Sequence, residues 1–309
     1  MDGDDPILAF DALRQRNAAP LKTAIVHPVD IASIGAALQA AKQGLIVPVL
    51  IGPKARIEQA AQDAEATLSG IEVIDAPHSH AAAEASVDLA VSGKIDALMK
   101  GALHTNEIMT PALSASPNLR TERRMSHAFV MRTNAYPKWL IVSDGALNIS
   151  PDLSAKRWIV QNAIDLARAI GIKAPRAAIL SATEEVDPKV PSTIDAAALC
   201  KMADRGQIRG GQLDGPLAFD LAVSMDAVRA KNIVSDVAGE ADILIVPNLE
   251  SGNMLAKQLD YLAGAEAAGL ILGAKVPIVL NSRSDSVDER VASCIVAHRY
   301  HTWLAEMKT

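Results

Sequence analysis

The sequence predicts an α/β fold with mainly parallel strands, and three observations carry the prediction. Short apolar, β-branched runs alternate with longer amphipathic stretches from Lys22 onward, which is the pattern of successive βαβ units. Half of the residues are hydrophobic while aromatics make up only 3%, a balance that suits helices laid on strands covered on both faces. A length of 309 residues exceeds that of a usual single core and predicts about two domains with a cleft.

The expected strands are Thr23–His27, Val47–Ile51, Ile71–Ile74, Ala97–Met99, Ala128–Met131, Leu140–Ser143, Ala177–Leu180, Ile243–Val246, Leu270–Leu272 and Ile278–Leu280. Amphipathic stretches such as Ile31–Lys42, Ala55–Ala64, Ala81–Val91 and Lys156–Ala169 fill the intervals. No repeat, low-complexity tract or long linker interrupts the chain, so two domains have to share connections. The expected division is residues 1–136 with 279–309 as one domain and 137–278 as the other. In such folds ligands bind beyond the carboxyl ends of the strands, so chemistry belongs in the loops that follow them.

A formal charge of −6 and a pI near 5.7 leave no electrostatic footprint for nucleic acid or an anionic membrane. Cys200 and Cys294 both sit in apolar helical patterns and read as buried structural thiols rather than as a disulfide or a metal site. The first residues are acidic, and no apolar run reaches the roughly 18 residues of a membrane span. A cytoplasmic protein is therefore expected.

Four loops carry candidate chemistry. Lys100 and Gly101 follow a strand and lead through His104 and Thr105 into a helix, so a cation, a close backbone approach and a helix N-terminus all favour an anion. An ordinary turn with a solvated lysine is the alternative. Arg120, Arg123 and Arg124 precede Met125, Ser126 and His127; such a cluster either shares an anion or is a solvated charged surface. Asp144 ends a strand before Gly145 and Asn148, where it orients a ligand or simply forms the turn. Last, Ile278–Leu280 runs into Asn281, Ser282, Arg283, Ser284, Asp285, Ser286, Val287, Asp288 and Glu289, a loop that combines hydroxyls, a fixed cation and carboxylates. A capping box of Ser286 and Glu289 explains those two residues but leaves Ser282 and Arg283 unexplained.

His298 and His301, three apart in a helical pattern, read as surface residues without a third ligand, and His78 with His80 read the same way in a short loop. No metal site is expected. The chain has no G-x-x-x-x-G-K-[ST] segment, no strand-linked G-x-G-x-x-G and no G-x-S-x-G elbow, which argues against nucleotide hydrolases, conventional dinucleotide enzymes and serine hydrolases of that type.

Taken in order, several segments resemble the phosphate acetyltransferase and phosphate butyryltransferase family, especially the branch found fused behind an enoyl-CoA hydratase domain. They are M-K-G-A-L-H-T (99–105), L-R-T-E-R-R-M-S-H (119–127), I-V-S-D-G-A-L-N-I-S-P-D-L (141–153), P-S-T-I-D-A-A-A-L-C-K-M-A-D-R-G-Q-I (191–208), D-G-P-L-A-F-D (214–220), V-P-N-L-E-S-G-N-M-L-A-K (246–257) and N-S-R-S-D-S (281–286). The resemblance implies two αβα domains with mainly parallel sheets, related to isocitrate and isopropylmalate dehydrogenases, with the active site in the interdomain cleft and a homodimer or higher oligomer. It implies the reaction acyl-CoA + phosphate ⇌ CoA + acyl phosphate, with coenzyme A as substrate and no bound cofactor.

Carried onto this chain, the resemblance implies that Ser282 hydrogen-bonds the reacting acyl phosphate and that Arg283 binds phosphate or holds a carboxylate. A loop carboxylate then deprotonates the thiol. Alignment with the acetyltransferases points to Glu289, with Asp288 beside it, whereas the butyryltransferase-like branch points to Asp285. Lys100, His104, Thr105, Arg120, Arg124, His127, Asp144 and Asn148 are the expected substrate-binding residues. One departure stands out: Thr110 follows Met109 where the family usually has an arginine. An acyl-CoA or acyl phosphate binding protein of weak activity is the alternative that this change raises.

Overall fold

The computed structural model describes residues 6–15, 17–114, 116 and 118–307. In chain order the first elements are α1 (Pro6–Asp11), β1 (Leu21–Val26), α2 (Ile31–Lys42), β2 (Ile46–Gly52), α3 (Lys54–Asp63), β3 (Glu72–Asp75), α4 (Ser79–Val91), β4 (Ala97–Lys100) and α5 (Thr105–Leu113). They are followed by β5 (Ser126–Thr133), β6 (Tyr136–Ser143), α6 (Leu153–Ala169), β7 (Arg176–Leu180), α7 (Pro191–Asp204), β8 (Gln212–Leu217), α8 (Phe219–Val223), α9 (Met225–Lys231), β9 (Ile243–Ile245) and α10 (Leu249–Ala263). β10 (Glu266–Leu272), β11 (Ile278–Val279) and α11 (Val287–Glu306) complete the chain.

Two compact units emerge, one of residues 7–123 with 268–309 and the other centred on 124–267. The boundaries expected at 136/137 and 278/279 fall inside β6 and β11. Pairing explains the difference. β5 runs antiparallel along β6, from Ala128 opposite Ser143 to Thr133 opposite Tyr136, so the two strands stay in one unit.

In the unit of residues 7–123 and 268–309 the strands lie in the order β3, β2, β1, β4, β11, β10. All neighbours are parallel except β10 and β11. The strands β1, β2 and β4 are buried almost throughout, as a sheet covered on both faces requires. α2 packs against α11 and α4 against α5. Asp30 starts α2 by accepting the Ser33 backbone N–H at 2.7 Å, and His78 caps α4 by accepting from Ala81 N at 3.2 Å, the orphan donors of a first turn. His78 therefore has a capping role, and His80 lies inside α4 rather than in a loop.

The unit of residues 124–267 orders its strands β5, β6, β9, β7, β8, parallel apart from the β5–β6 pair. Met131, Leu140, Val142, Leu180, Leu217 and Leu244 form its core with the buried faces of α8, α9 and α10. β8 was not among the expected strands. Its sequence, Q-L-D-G-P-L, has no apolar run, and it lies at the sheet edge, where a proline is tolerated.

Two further expectations are corrected. His298 is buried at 2% exposure, with Nε2 2.9 Å from the Ala19 carbonyl, because it falls on the packed stripe of α11. Cys294 is fully buried, but Cys200 is only half-buried, and burial pushes both thiols up to about 12. No helix among the described residues is long and apolar enough to cross a membrane.

Gly101 is needed at the turn after β4 because a Cβ there would lie 2.5 Å from the Val26 carbonyl oxygen and 2.9 Å from that of His27. Gly101→Ala is expected to lower stability by about 1–3 kcal/mol through forced backbone displacement, measurable as a lower denaturation midpoint. An unchanged midpoint overturns this account of the turn.

Candidate functional site

The carboxyl ends of the adjacent parallel strands β1, β4 and β11 bring His27, Lys100 and Asn281 to one edge of the sheet. This is where such sheets bind ligands. Lys100 ends β4 and is only 3% exposed, its Nζ 3.4 Å from the Gly101 carbonyl. Burial pushes its pKa down to about 8, with Arg290 and then Arg283 adding to the fall and Asp285 and Asp30 opposing it. His27 is buried beside it in a left-handed backbone conformation; burial first, and Arg56 second, lower its pKa.

The loop from Asn281 to Ser286 is fixed by its own groups. Asp285 Oδ2 accepts from the Ser282 N–H at 2.8 Å and from Asn281 Nδ2 at 3.2 Å. Ser282 and Ser284 share a hydroxyl contact of 2.9 Å. Arg290, one turn into α11 and 1% exposed, reaches back beneath the loop, donating to the Ser282 carbonyl at 2.9 Å and the Asp285 carbonyl at 3.3 Å. The exposed Arg283 places a guanidinium nitrogen 2.6 Å from His104 Nδ1, so His104 accepts there. His104 precedes α5, and Glu107 accepts its backbone N–H at 2.6 Å. The Ser79 hydroxyl and that N–H, with His80 nearby, hold the Glu107 carboxyl below its ordinary range.

Ser282, Arg283, Asp285, Lys100, His104 and Thr105 are thus gathered around one edge. Of the other two carboxylates, Asp288 accepts from Gln39 of α2 at 2.8 Å and lines a cavity of about 150 Å³ with Phe10 and Gln43. Glu289 accepts from the Ser286 N–H at 2.8 Å and closes the expected capping box. Arg120 is exposed and belongs to the same unit, bridged to Ala274.

The remaining candidates form a second set in the unit of residues 124–267. Arg124 Nε donates to Asn148 Oδ1 at 2.9 Å, and Asn148 Nδ2 donates to Asp144 Oδ2 at 2.6 Å. Asp144 also accepts from His127 N at 3.0 Å, Ala146 N at 3.0 Å and Leu147 N at 2.9 Å. Asp144 is thus the hub that holds the β5 entry against the β6 turn, and His127 is buried with its ring edge-on to Phe129.

Arg290, His27 and Asp30 were missed by sequence reasoning. Arg290 did leave a signal: it shares a helical stripe with Val291, Cys294, Ala297 and His298, all buried, and a cation on such a stripe calls for a reason. Among the described residues no group of three or more His, Cys, Asp or Glu is placed to hold a metal.

A family model described as "Phosphate acetyl/butaryl transferase" matches residues 83–298. The chain belongs to this family. It is 56% identical over 285 residues to the phosphate acetyltransferase of Rhizobium meliloti, covering 92% of this chain and 90% of that protein. It is 38% identical over 276 residues to the phosphate butyryltransferase of Clostridium acetobutylicum, covering 89% and 92%. In structure it is similar to a branched-chain phosphotransacylase from Enterococcus faecalis V583, with a TM-score of 0.78, 29% identity and coverage of 91% and 99%.

The depressed Lys100 has a definite consequence for stability. Its folded pKa of about 8 lies below the roughly 10.4 of an unfolded lysine. Below pH 8 the folded state carries the full penalty of a buried ammonium; as pH rises from 8 to about 10.4 the folded state releases the proton first and stability increases. Lys100→Met is therefore expected to be more stable than wild type at pH 7, by on the order of 3 kcal/mol, with the gap closing towards pH 10.4. Denaturant melts of both proteins across that range test this, and a gap independent of pH defeats it.

Proposed function

We propose that this chain moves a short acyl group, acetyl or butyryl, between coenzyme A and inorganic phosphate, with the acyl phosphate held at the edge formed by Lys100, His104, Thr105, Ser282 and Arg283. One observation carries the assignment. Lys100, Arg283 and Arg290 converge there, and among the described residues none of the three has an ion-pair partner. Two of them, Lys100 and Arg290, are buried; buried cations without counter-charges are costly, and a phosphate dianion is the ligand that offsets them. Arg283 and Lys100 take the phosphoryl oxygens, the first through a planar fork and the second as a point charge. The Ser282 hydroxyl donates to the carbonyl or bridging oxygen.

In the direction of acyl-CoA synthesis a carboxylate takes the proton from the CoA thiol. As that proton leaves, the sulfur forms a bond to the acyl carbonyl carbon, the bond from that carbon to the bridging oxygen breaks, and phosphate leaves with the electron pair. We assign the base to Glu289. Asp285 braces the loop through Ser282 N and Asn281, and Asp288 is turned to Gln39; Glu289 also accepts from Ser286 N in the capping box, but it holds the position to which the acetyltransferase resemblance points.

Thr110 does not supply the cation that the family usually has at this position; its hydroxyl donates to the Asn106 carbonyl at 2.7 Å. Lys100 and Arg283 take over that charge. Arg120 and the set of Arg124, His127, Asp144 and Asn148 are assigned to the binding of CoA and the orientation of the acyl group. The dehydrogenase-like arrangement of two domains with the reaction centre in their cleft, the homodimer and the cytoplasmic location belong to the same proposal. Coenzyme A enters as substrate, with no resident cofactor.

Purified protein incubated with acetyl-CoA or butyryl-CoA and phosphate is expected to release thiol, with Ser282→Ala and Arg283→Ala each lowering kcat/KM by about 10²–10³. No turnover of either substrate above those variants overturns the assignment. Gln keeps the capping box, so Glu289→Gln isolates the chemistry; it is expected to lower kcat by about 10²–10⁴ with the fold intact. A near-normal Glu289→Gln beside a crippled Asp285→Asn moves the base to Asp285.

A further inference from the structure

Among the described residues Arg290 is the largest side chain that is almost fully enclosed, and its position is unusual for a charge. Two of its nitrogens are bound to main-chain oxygens, Nη2 to Ser282 at 2.9 Å and Nε to Asp285 at 3.3 Å. The third, Nη1, is buried without a hydrogen-bond partner. The two carbonyls it grips flank the Ser282–Asp285 turn, and both are contributed by the loop whose side chains meet the acyl phosphate. A cation placed only to brace a loop would be expected beside a carboxylate. The ionisable groups around Lys100 are instead Arg290 from α11, Arg283 and Asp285 from the loop, and Asp30 from the start of α2.

We propose that Arg290 is a positioning residue for the transfer reaction: from beneath the loop it fixes the Ser282 and Asp285 carbonyls, and its unneutralised charge, set beside Lys100, makes this edge of the sheet selective for a dianion. The proposal rests on the reading of the Ser282–Arg283 loop and Lys100 as the phosphate site. The first half follows from the two hydrogen bonds, since a loop held at both ends by one rigid guanidinium keeps the Ser282 hydroxyl and Arg283 fork in one register. The second follows from the proximity of two buried cations, which repel each other until an anion arrives. Phosphate binding then draws Lys100 towards its charged form, so above pH 8 binding takes up a proton.

Two substitutions separate these halves. Arg290→Lys keeps the charge but cannot hold two carbonyls with a planar fork, and Arg290→Gln keeps a donor but removes the charge. Both are made in the full chain and assayed for thiol release from acetyl-CoA and phosphate, together with the pH profile of kcat/KM for phosphate and the thermal shift produced by inorganic phosphate.

Both variants are expected to lose about tenfold or more in kcat. Only Arg290→Gln is expected to move the basic limb of the profile upward, by about half a pH unit or more, and to weaken the phosphate-induced thermal shift. Arg290→Lys should leave the limb in place. Folded variants with wild-type kcat overturn the positioning role, and a limb unmoved in Arg290→Gln overturns the electrostatic one. If Arg290→Gln does not fold, Arg290→Met, which removes the charge and fills the enclosed site with an apolar chain, takes its place in the pH profile, and a basic limb unmoved there refutes the second half. A wild-type protein without turnover would instead defeat the underlying functional reading, which keeps the two failures distinct.

Discussion

Positive charge held out of water where β4 and β11 end is the constraint on which the rest of this site depends. Lys100 and Arg290 are both almost completely enclosed, and a buried ammonium or guanidinium normally draws in a carboxylate or loses its proton. Here Asp285, the acidic residue best placed to answer them, accepts from Ser282 N and Asn281 instead. The local excess of positive charge is a standing cost to the folded chain. It is also what suits the proposed role of phosphate, because a site already neutralised from within gains little from a second anion.

The same constraint shapes the backbone. Lys100 has to leave β4 with its side chain directed into the sheet edge, so the chain turns at once, against the Val26 and His27 carbonyls, with room only for glycine at 101. His27 takes a left-handed conformation on the neighbouring strand end, and Asp30 three residues later starts α2. Strand ends, turn and helix starts are mutually supporting here, which is the kind of frame that holds reacting groups in one geometry.

How much of this the sequence discloses depends on whether a residue acts locally. The alternation of buried strands and amphipathic helices is local and legible, as is the capping box of Ser286 and Glu289, which depends on four consecutive residues. β8 was not legible, because its place at an edge lets it carry Asp, Gly and Pro. Asp144 was legible as a turn former, but its contacts to His127 N and to Asn148 depend on the pairing of β5 with β6, which no spacing announces. Arg290 and His27 escaped for a related reason. Their importance lies in where the strand ends converge, and helical periodicity marks Arg290 only as an anomaly on a buried stripe.

The energetics of proton transfer explain why charge and base must be built together. An ordinary carboxylate is weaker than a thiolate as a base by about four pKa units, or roughly 6 kcal/mol, so Glu289 cannot simply store the thiol's proton ahead of the reaction. In the proposed reaction the transfer becomes favourable only as the sulfur bonds to carbon and negative charge passes to the phosphoryl oxygens, which the proposal places against the guanidinium of Arg283 and the ammonium of Lys100. A weak base suffices because the cations also act late, on the additional charge that builds on the phosphoryl group as its bond to carbon breaks. By the same reasoning a loop that drifted by an ångström would lose the transfer before it lost the binding, since binding tolerates a displaced cation better than a concerted proton and acyl transfer does.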